Sequence, residues 1–336
     1  MLLTYIIPAY NCRDFIAACL DSLLAQELPQ HEYEVIIVDD GSADDTAVIA
    51  GDYCSRYPNF RLLRQANAGV GAARNAGLAH AQGRYVHFMD ADDRLLPGGM
   101  RKLFDEVVIP LAFPDVVSFW SRTVDSHYRA SEWDVLRPCS VRYHGSLKAR
   151  GMSHGVGYSV WTQLVSRALL MTSGLRFSEH KIGEDLYFML RLYAVGEASL
   201  AVTDLNIYRY CVHENSAMNR TGKEHVTSVF YSIMDLSERI DGLKLTAGYP
   251  EAMLEPYRAV CRRWAFTRLC SASIGCGELR RYLDDARAKG FFGGRASSPV
   301  DMFINVISRS AFMTYLFACF YRGVFLRWIK PRLKRN

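Results

Sequence analysis

Over the first ninety residues, short apolar runs alternate with segments of helical period, and this alternation constrains the fold more than any other feature. LLTYIIP (2–8) is a short, largely apolar run, the pattern of a strand buried on both faces. Phe15, Ile16, Cys19, Leu20, Leu23 and Leu24 then recur at helical spacing, with Asn11 as the expected cap. EVIIVDD (34–40) reads as a second strand, and a helix capped by Ser42 is expected through about Tyr57. FRLLRQ (60–65) is a third strand, AGVGAARNAGLAHA (68–81) a small-residue helix and RYVHFMD (84–90) a fourth strand. A βαβαβαβ order closes into a parallel sheet with right-handed crossovers.

Such sheets bind ligands beyond the carboxyl ends of their strands. The first strand ends at Pro8-Ala9-Tyr10-Asn11, the second at Asp39-Asp40-Gly41-Ser42 and the fourth at Asp90-Ala91-Asp92-Asp93. Asp39, Asp40, Asp90, Asp92 and Asp93 therefore share one edge of the sheet. One acidic pair after a strand is ordinarily a turn or a helix cap. Two clusters on one edge repel each other and resist desolvation unless something positive compensates. A divalent cation held together with a phosphorylated ligand supplies that compensation, since hard cations share oxygen ligands with phosphates.

Further along, Pro97 opens a helix to about Val108, and DVVSFWS (115–121) is a fifth strand. Residues 122–150 are polar, aromatic and irregular. Residues 158–173 read as a strand or helix followed by a helix, and GEDLYFMLRLYAVG (183–196) as a helix stopped by Gly196. SLAVTD (199–204) and LNIYRY (205–210) read as two strands, the chain after about Thr221 as helical, and 290–298 as a linker. The expected organisation is a domain over 1–220, divided into halves 1–95 and 96–220, then a helical extension over 221–298 and a tail over 299–336.

With 336 residues, half of them hydrophobic, the chain is long enough for a real core. The formal charge of +5 is unevenly placed. Residues 301–336 hold seven basic residues and one acid, a net +6, which leaves about −1 for residues 1–300. A uniformly basic surface for nucleic acid is therefore not expected. Nine scattered cysteines without a CxxC pair read as free thiols in a reducing compartment. The N-terminal MLLTYIIPAYN lacks a basic n-region and has too short an apolar run for a signal peptide, so a cytoplasmic location is expected.

TYIIPAYN, EVIIVDDGSADDT, NAGVGAARNAGLAHAQGRYVHFMDADD, WTQLVSRALL with GLRF, and GEDLYF together resemble the family 2 glycosyltransferases, over roughly residues 1–216. The resemblance implies an α/β GT-A fold: a Rossmann-like, mostly parallel sheet flanked by helices, here with a helical C-terminal region. It also implies transfer of a sugar from a nucleotide diphosphate donor, usually UDP-linked, with inversion. The setting would be bacterial surface polysaccharide assembly (O-antigen, capsule or exopolysaccharide). Pro8, Ala9 and Tyr10 would then border the nucleotide, with Tyr10 stacking on or bonding near uracil. Asp39 would accept the uracil imide hydrogen, and Asp40 would reach the ribose or support the loop. Arg74 would contact the base or a phosphate. Asp90 and Ala91 would lie against the nucleotide, with Asp90 fixing the ribose or the metal shell. Asp92 would hold Mn2+ or Mg2+ against the diphosphate, while Asp93 caps the next segment. His213 would contact the metal or a phosphate, with Arg209 and Ser216 as weaker candidates for the same lid. Asp185 would be the catalytic base, with Glu184 orienting it or the acceptor. Trp161 would shape the acceptor pocket or pack in the core. A dinucleotide-binding reading of Gly69 and Gly71 fails on order: that fingerprint directly follows a first strand, and its acid comes later. Within enzymes the rival is a nucleotidyltransferase, disfavoured because PAYNCRD stands where a Gly-rich, basic triphosphate loop belongs. The rival outside enzymes is a catalytically silent membrane-bound scaffold.

Residues 311–329, AFMTYLFACFYRGVFLRWI, are apolar and aromatic but interrupted by Arg322 and Arg327, and Lys330, Arg332, Lys334 and Arg335 follow. Such a segment fits an interfacial anchor on an anionic inner-leaflet surface better than a span, the alternative being a C-terminal helix packed on the enzyme. An anchor suits a lipid-linked glycan acceptor, which the resemblance implies.

Overall fold

The structure, a computed structural model, describes residues 1–125, 128, 136, 138–153, 159–179, 182–213, 222–292 and 298–322. The chain divides into two compact units, Met1–His213 and Glu214–Asn336.

The first unit opens with the expected alternation. It runs β1 (Leu3–Ala9), α1 (Ile16–Leu24), β2 (Tyr33–Asp39), α2 (Thr46–Arg56), β3 (Phe60–Arg64), α3 (Val70–His80) and β4 (Tyr85–Phe88). Every residue of β1, β2 and β4 is buried, which is why these strands carry continuous apolar runs instead of alternation. β5 (Arg94–Leu95) and α4 (Gly99–Leu103) follow, and α4 continues as a π-helical turn over Phe104–Val108. Next come β6 (Val116–Asp125), β7 (Val141–Ser146) and α5 (Leu147–Ser153). After a 3-10 turn at Val160–Thr162 come β8 (Gln163–Ser166), α6 (Arg167–Thr172), α7 (Glu184–Tyr193) and β9 (Ser199–Val212).

The strands form one sheet in the order β3-β2-β1-β4-β8-β6-β9-β5, with β7 also paired to β9. β1, β2, β3 and β4 are mutually parallel, with Ala9, Asp39 and Arg64 in register at their carboxyl ends. Beyond β4 the sheet is mixed. β8 runs antiparallel to β4 and β6, β6 is parallel to β9, and β5 and β7 are antiparallel to β9. The core of this unit includes Leu3, Tyr5, Ile7, Val35, Ile37 and Leu103.

Three local expectations are corrected. SLAVTD and LNIYRY form one 14-residue strand, β9. Asp204 does not break it, because its carboxylate accepts from the Ser140 amide (2.7 Å) and Arg142 Nε (2.8 Å) at the edge beside β7. Asn11 does not cap α1. It has φ 47°, its Oδ1 accepts from the Ala43 amide, and its own amide donates to Ser42 Oγ. Ser42 does not cap α2 either: its Oγ takes the Asn11 amide and so ties the β1 and β2 exits together, while Asp44 Oδ1 takes the Thr46 amide at the start of α2. All nine cysteines are free thiols, as expected.

The second unit is helical in its described part: α8 (Lys223–Ala247), α9 (Glu251–Ser271), α10 (Cys276–Ala288), α11 (Pro299–Ile307) and α12 (Ala311–Phe320). Phe230, Ile233, Leu236, Met253, Tyr257 and Leu269 are buried in it. Ser298 caps α11 through the Asp301 amide, and buried Asp301 is paired with Arg263. Among the described residues no helix is long and apolar enough to cross a membrane. The expected linker falls mostly at 293–297, and the basic end of the tail at 323–336, both outside the described residues.

Candidate active site

The carboxyl edge of the parallel half collects the predicted residues. Pro8 and Ala9 lie buried at the end of β1, and Tyr10 projects from it, 53% exposed. Asp39 is buried, yet its Oδ1 accepts from the Ser42 amide (3.1 Å) and its Oδ2 from Arg64 Nε (3.3 Å). Asp40 is engaged differently. Its Oδ1 accepts from Gln65 Nε2 (2.7 Å) and the Ala68 amide (2.9 Å), and its Oδ2 from the Gly69 amide (2.8 Å). Both Asp40 oxygens are thus bonded to the loop between β3 and α3.

At the end of β4 the three carboxylates of MDADD meet separate partners. Asp90 Oδ1 is 2.7 Å from Arg74 Nη2. Asp92 Oδ2 is 2.8 Å from Nε2 of His213, whose ring stacks on Phe15 with centroids 4.4 Å apart. Asp93 is fully buried and accepts from the Tyr208 hydroxyl and the Cys211 amide, so it fastens the loop to β9. Burial, then the charge of Asp92, holds the Asp93 carboxyl well above the usual carboxylate range. Burial, then Asp90, raises Asp92 against the opposing pull of His213. Ala91 is buried between them. Within the protein, Arg74 supplies the positive charge beside Asp90, and His213 meets Asp92 through Nε2.

Gly183, at φ 77°, starts α7 in the left-handed region that a side chain strains. Glu184 follows, buried, with Oε1 2.8 Å from Arg74 Nη1. Asp185 is partly exposed, and its Oδ1 accepts from the Leu186 amide (2.7 Å). Burial and the neighbouring Glu184 charge push its carboxyl up to about 7, although Arg74 pulls the other way. A carboxylate tuned toward neutrality and open on one side is suited to accepting a proton.

Arg74 itself is 3% exposed, with both terminal nitrogens held by carboxylates. Sequence reasoning found it but not this arrangement, and it missed Asn75. Asn75 pairs with the backbone of Phe177 in both directions, at 2.9 Å each. A Cβ on Gly71 would lie 2.6 Å from the Ser178 carbonyl oxygen. The run GAARN carried the signal, since residues three and four apart share one helix face. Trp161 stacks on Tyr208 and Tyr210, and Arg209 bonds Asn206 and Tyr128. Ser216 lies outside the described residues.

Among the described residues, no three His, Cys, Asp or Glu side chains converge as a ready metal cage. Asp92 and His213 form a carboxylate–imidazole pair of the kind Mn2+ or Mg2+ accepts when a diphosphate supplies further oxygens.

The family model described as "Glycosyl transferase family 2" matches residues 4–142. The chain is 29% identical over 234 residues to "Uncharacterized glycosyltransferase YibD" of Escherichia coli (strain K12), covering 67% of this chain and 66% of the relative. It is 30% identical over 236 residues to "Succinoglycan biosynthesis protein ExoO" of Rhizobium meliloti (strain 1021), covering 67% and 65%. The chain spans less than two thirds of the length of several curated relatives, and only 40% of one of them. Among solved structures, S. aureus TarS 1-349 in complex with UDP-GlcNAc superposes with a TM-score of 0.62 at 20% identity, over 96% of this chain and 92% of that one. The mannosyltransferase PcManGT from Pyrobaculum calidifontis, in complex with GDP-Man and Mn2+, superposes with a TM-score of 0.54 at 16% identity, over 95% and 86%.

Proposed function

The chain carries a glycosyl transferase family 2 domain on a GT-A fold, and from this premise we propose that it moves a sugar, with inversion, from a nucleoside diphosphate donor to a hydroxyl of a glycan acceptor. The observation that carries this reading is Asp185. It is only partly exposed, held up to about 7 by burial and the Glu184 charge, and tied through Glu184 and Arg74 to Asp90 of the donor edge. The relative named for succinoglycan biosynthesis supports a role in bacterial surface polysaccharide assembly.

In this mechanism Asp39 accepts the imide N–H of uracil, and exposed Tyr10 offers its ring to the base. Pro8, Ala9 and Ala91 let the nucleotide lie close to the backbone, and Asp90 faces the ribose. Asp92 and His213 would hold Mn2+ or Mg2+, which when bound would supply positive charge against the departing diphosphate. Asp185 Oδ2, free of the Leu186 contact made by Oδ1, takes the proton of the acceptor hydroxyl. The new C–O bond forms at the anomeric carbon as the bond to the diphosphate breaks, and the electron pair leaves with the diphosphate. One base on the face opposite the leaving group gives inversion without a covalent intermediate.

The acceptor is a lipid-linked glycan, and the protein works at the inner face of the cell membrane. Supporting this, α11 and α12 expose Met302, Val306, Phe312, Met313, Leu316 and Phe320. The sequence from 301 onward carries seven basic residues, and its one acid, Asp301, is buried. Exposed apolar side chains in a segment that is basic in sequence match an anionic lipid surface.

The test is calorimetric titration of UDP into the full chain with and without Mn2+, on wild type and Asp92→Ala. Binding that needs both metal and Asp92 supports the donor site, and screening of UDP-sugars for turnover follows. No binding of UDP, GDP or dTDP under any metal condition rejects it. Binding without turnover of any donor favours the silent scaffold.

A further inference from the structure

We propose that Arg74 is a positioning residue, not a nucleotide ligand: it locks the carboxylate of Asp90 on the donor side to Glu184 at the start of the helix that carries the base. The inference rests on the transferase reading and assigns Arg74 a role within the same site.

Three observations converge on the α3 face that contains Arg74. The guanidinium is buried and forked, with Nη2 on Asp90 (2.7 Å) and Nη1 on Glu184 (2.8 Å). A planar fork meets two carboxylates at fixed angles, which a lysine ammonium cannot do. The guanidinium also lies over the Phe177 ring, 5.2 Å from its centroid. One residue on, Asn75 clasps the Phe177 backbone from both sides. One turn earlier, Gly71 leaves room for the Ser178 carbonyl to sit where a side chain would begin. Gly71, Arg74 and Asn75 therefore grip the segment that leads into α7, and Arg74 extends that grip to the first residue of the helix.

The charges in this cluster require the arrangement. Asp90, Glu184 and Asp185 converge on the single guanidinium of Arg74, and Glu184 is almost wholly buried. A buried carboxylate stripped of its cation is strongly unfavourable, so removing Arg74 should release both the donor-side loop and the base helix. Each terminal nitrogen of Arg74 spends an N–H on a carboxylate of a different element, so the guanidinium is held from both ends and a phosphate would have to compete with Asp90 or Glu184 for it. Glu184, held on Arg74, is placed to orient the base helix; Asp185 beside it remains the group that meets the acceptor.

The experiment compares wild type, Arg74→Lys, Arg74→Met, Glu184→Gln and the Arg74→Met/Glu184→Gln pair. Each is measured for UDP binding with Mn2+ by calorimetry and for turnover of the UDP-sugar that wild type uses. Thermal melts separate folding loss from functional loss. Arg74→Met should lower kcat at least 100-fold while UDP affinity changes less than tenfold. Arg74→Lys should recover only part of kcat. The double variant should be no slower than Arg74→Met alone, because both changes break one link. Losses in UDP affinity and kcat/KM that run in parallel for Arg74→Met would make Arg74 a nucleotide ligand and overturn the proposal. Multiplied losses in the double variant overturn it too. Should Arg74→Met fail to fold, the same comparison is made with Arg74→Lys and Glu184→Gln, where retained UDP affinity with a depressed kcat is expected and lost affinity refutes. Failure of wild type to bind UDP at all counts against the transferase reading, not against the link.

Discussion

At the scale of single residues, the proposed role of Asp185 ties rate and stability to one carboxyl group. Because its carboxyl is raised to about 7, the base is protonated below that pH and inactive. The kcat/KM profile should therefore fall about tenfold per unit on its acid side, with a midpoint near 7. A midpoint at an ordinary carboxylate pKa would remove Asp185 from the role. Asp185→Asn should reduce kcat by roughly 10²–10⁴-fold, the usual contribution of a general base. The sign for stability is opposite. The folded state holds the proton more tightly than the unfolded chain, so the stability this group supplies is complete below the ordinary carboxylate range and declines as pH rises through about 7. Asp185→Asn should accordingly melt higher than wild type at pH 8, and the gap should narrow by pH 5. An equal gap at both values, or a lower melt at pH 8, would contradict the tuning. The proposed metal pair, Asp92 and His213, makes a separate prediction: His213→Ala should weaken Mn2+-dependent UDP binding tenfold or more and leave any metal-free binding unchanged, read by calorimetry.

At the scale of elements, α3 and the start of α7 are matched surfaces. Gly71→Ala would place a methyl 2.6 Å from the Ser178 carbonyl, and backbone cannot swing aside as a flexible side chain can. Overpacking of this kind costs about 1–3 kcal/mol. Gly183→Ala forces a left-handed alanine at φ 77°, at about 1–2 kcal/mol. Both variants should melt several degrees lower, and both should lose kcat beyond what the melting shift explains, because each moves the base helix. Gly51, half-buried in α2 with open space where a Cβ would sit, is the control. Gly51→Ala should leave kcat unchanged and, by helix propensity, raise the melting point slightly.

At the scale of the whole molecule, the asymmetry between a nearly neutral body and a basic, apolar C-terminal segment predicts where the protein works. It should sediment with vesicles containing anionic phosphatidylglycerol and not with pure phosphatidylcholine, and rising salt should release it. Phe312→Ser combined with Val306→Ser should weaken that binding severalfold without changing the melt. Equal binding to neutral and anionic vesicles, or none to either, would dismiss the anchor.

The sequence alone determined the parallel half of the sheet, the placement of Asp39, Asp90 and Asp92 at its carboxyl edge, and Glu184-Asp185 at the start of a helix. These follow from local period and from the rule that strands in such sheets end at one edge, so neighbouring residues suffice to read them. Only the tertiary structure decided what each carboxylate meets. Asp40 is used by the backbone of a loop, Asp93 by Tyr208 and the Cys211 amide, and Arg74 by a glutamate 110 residues away. It also decided that SLAVTD and LNIYRY are one strand, because Asp204 finds its partners across the sheet at Ser140 and Arg142. Local pattern reports whether a side chain faces the core. Which group neutralises a buried charge depends on contacts made only when distant segments close on each other, and sequence spacing holds no record of them.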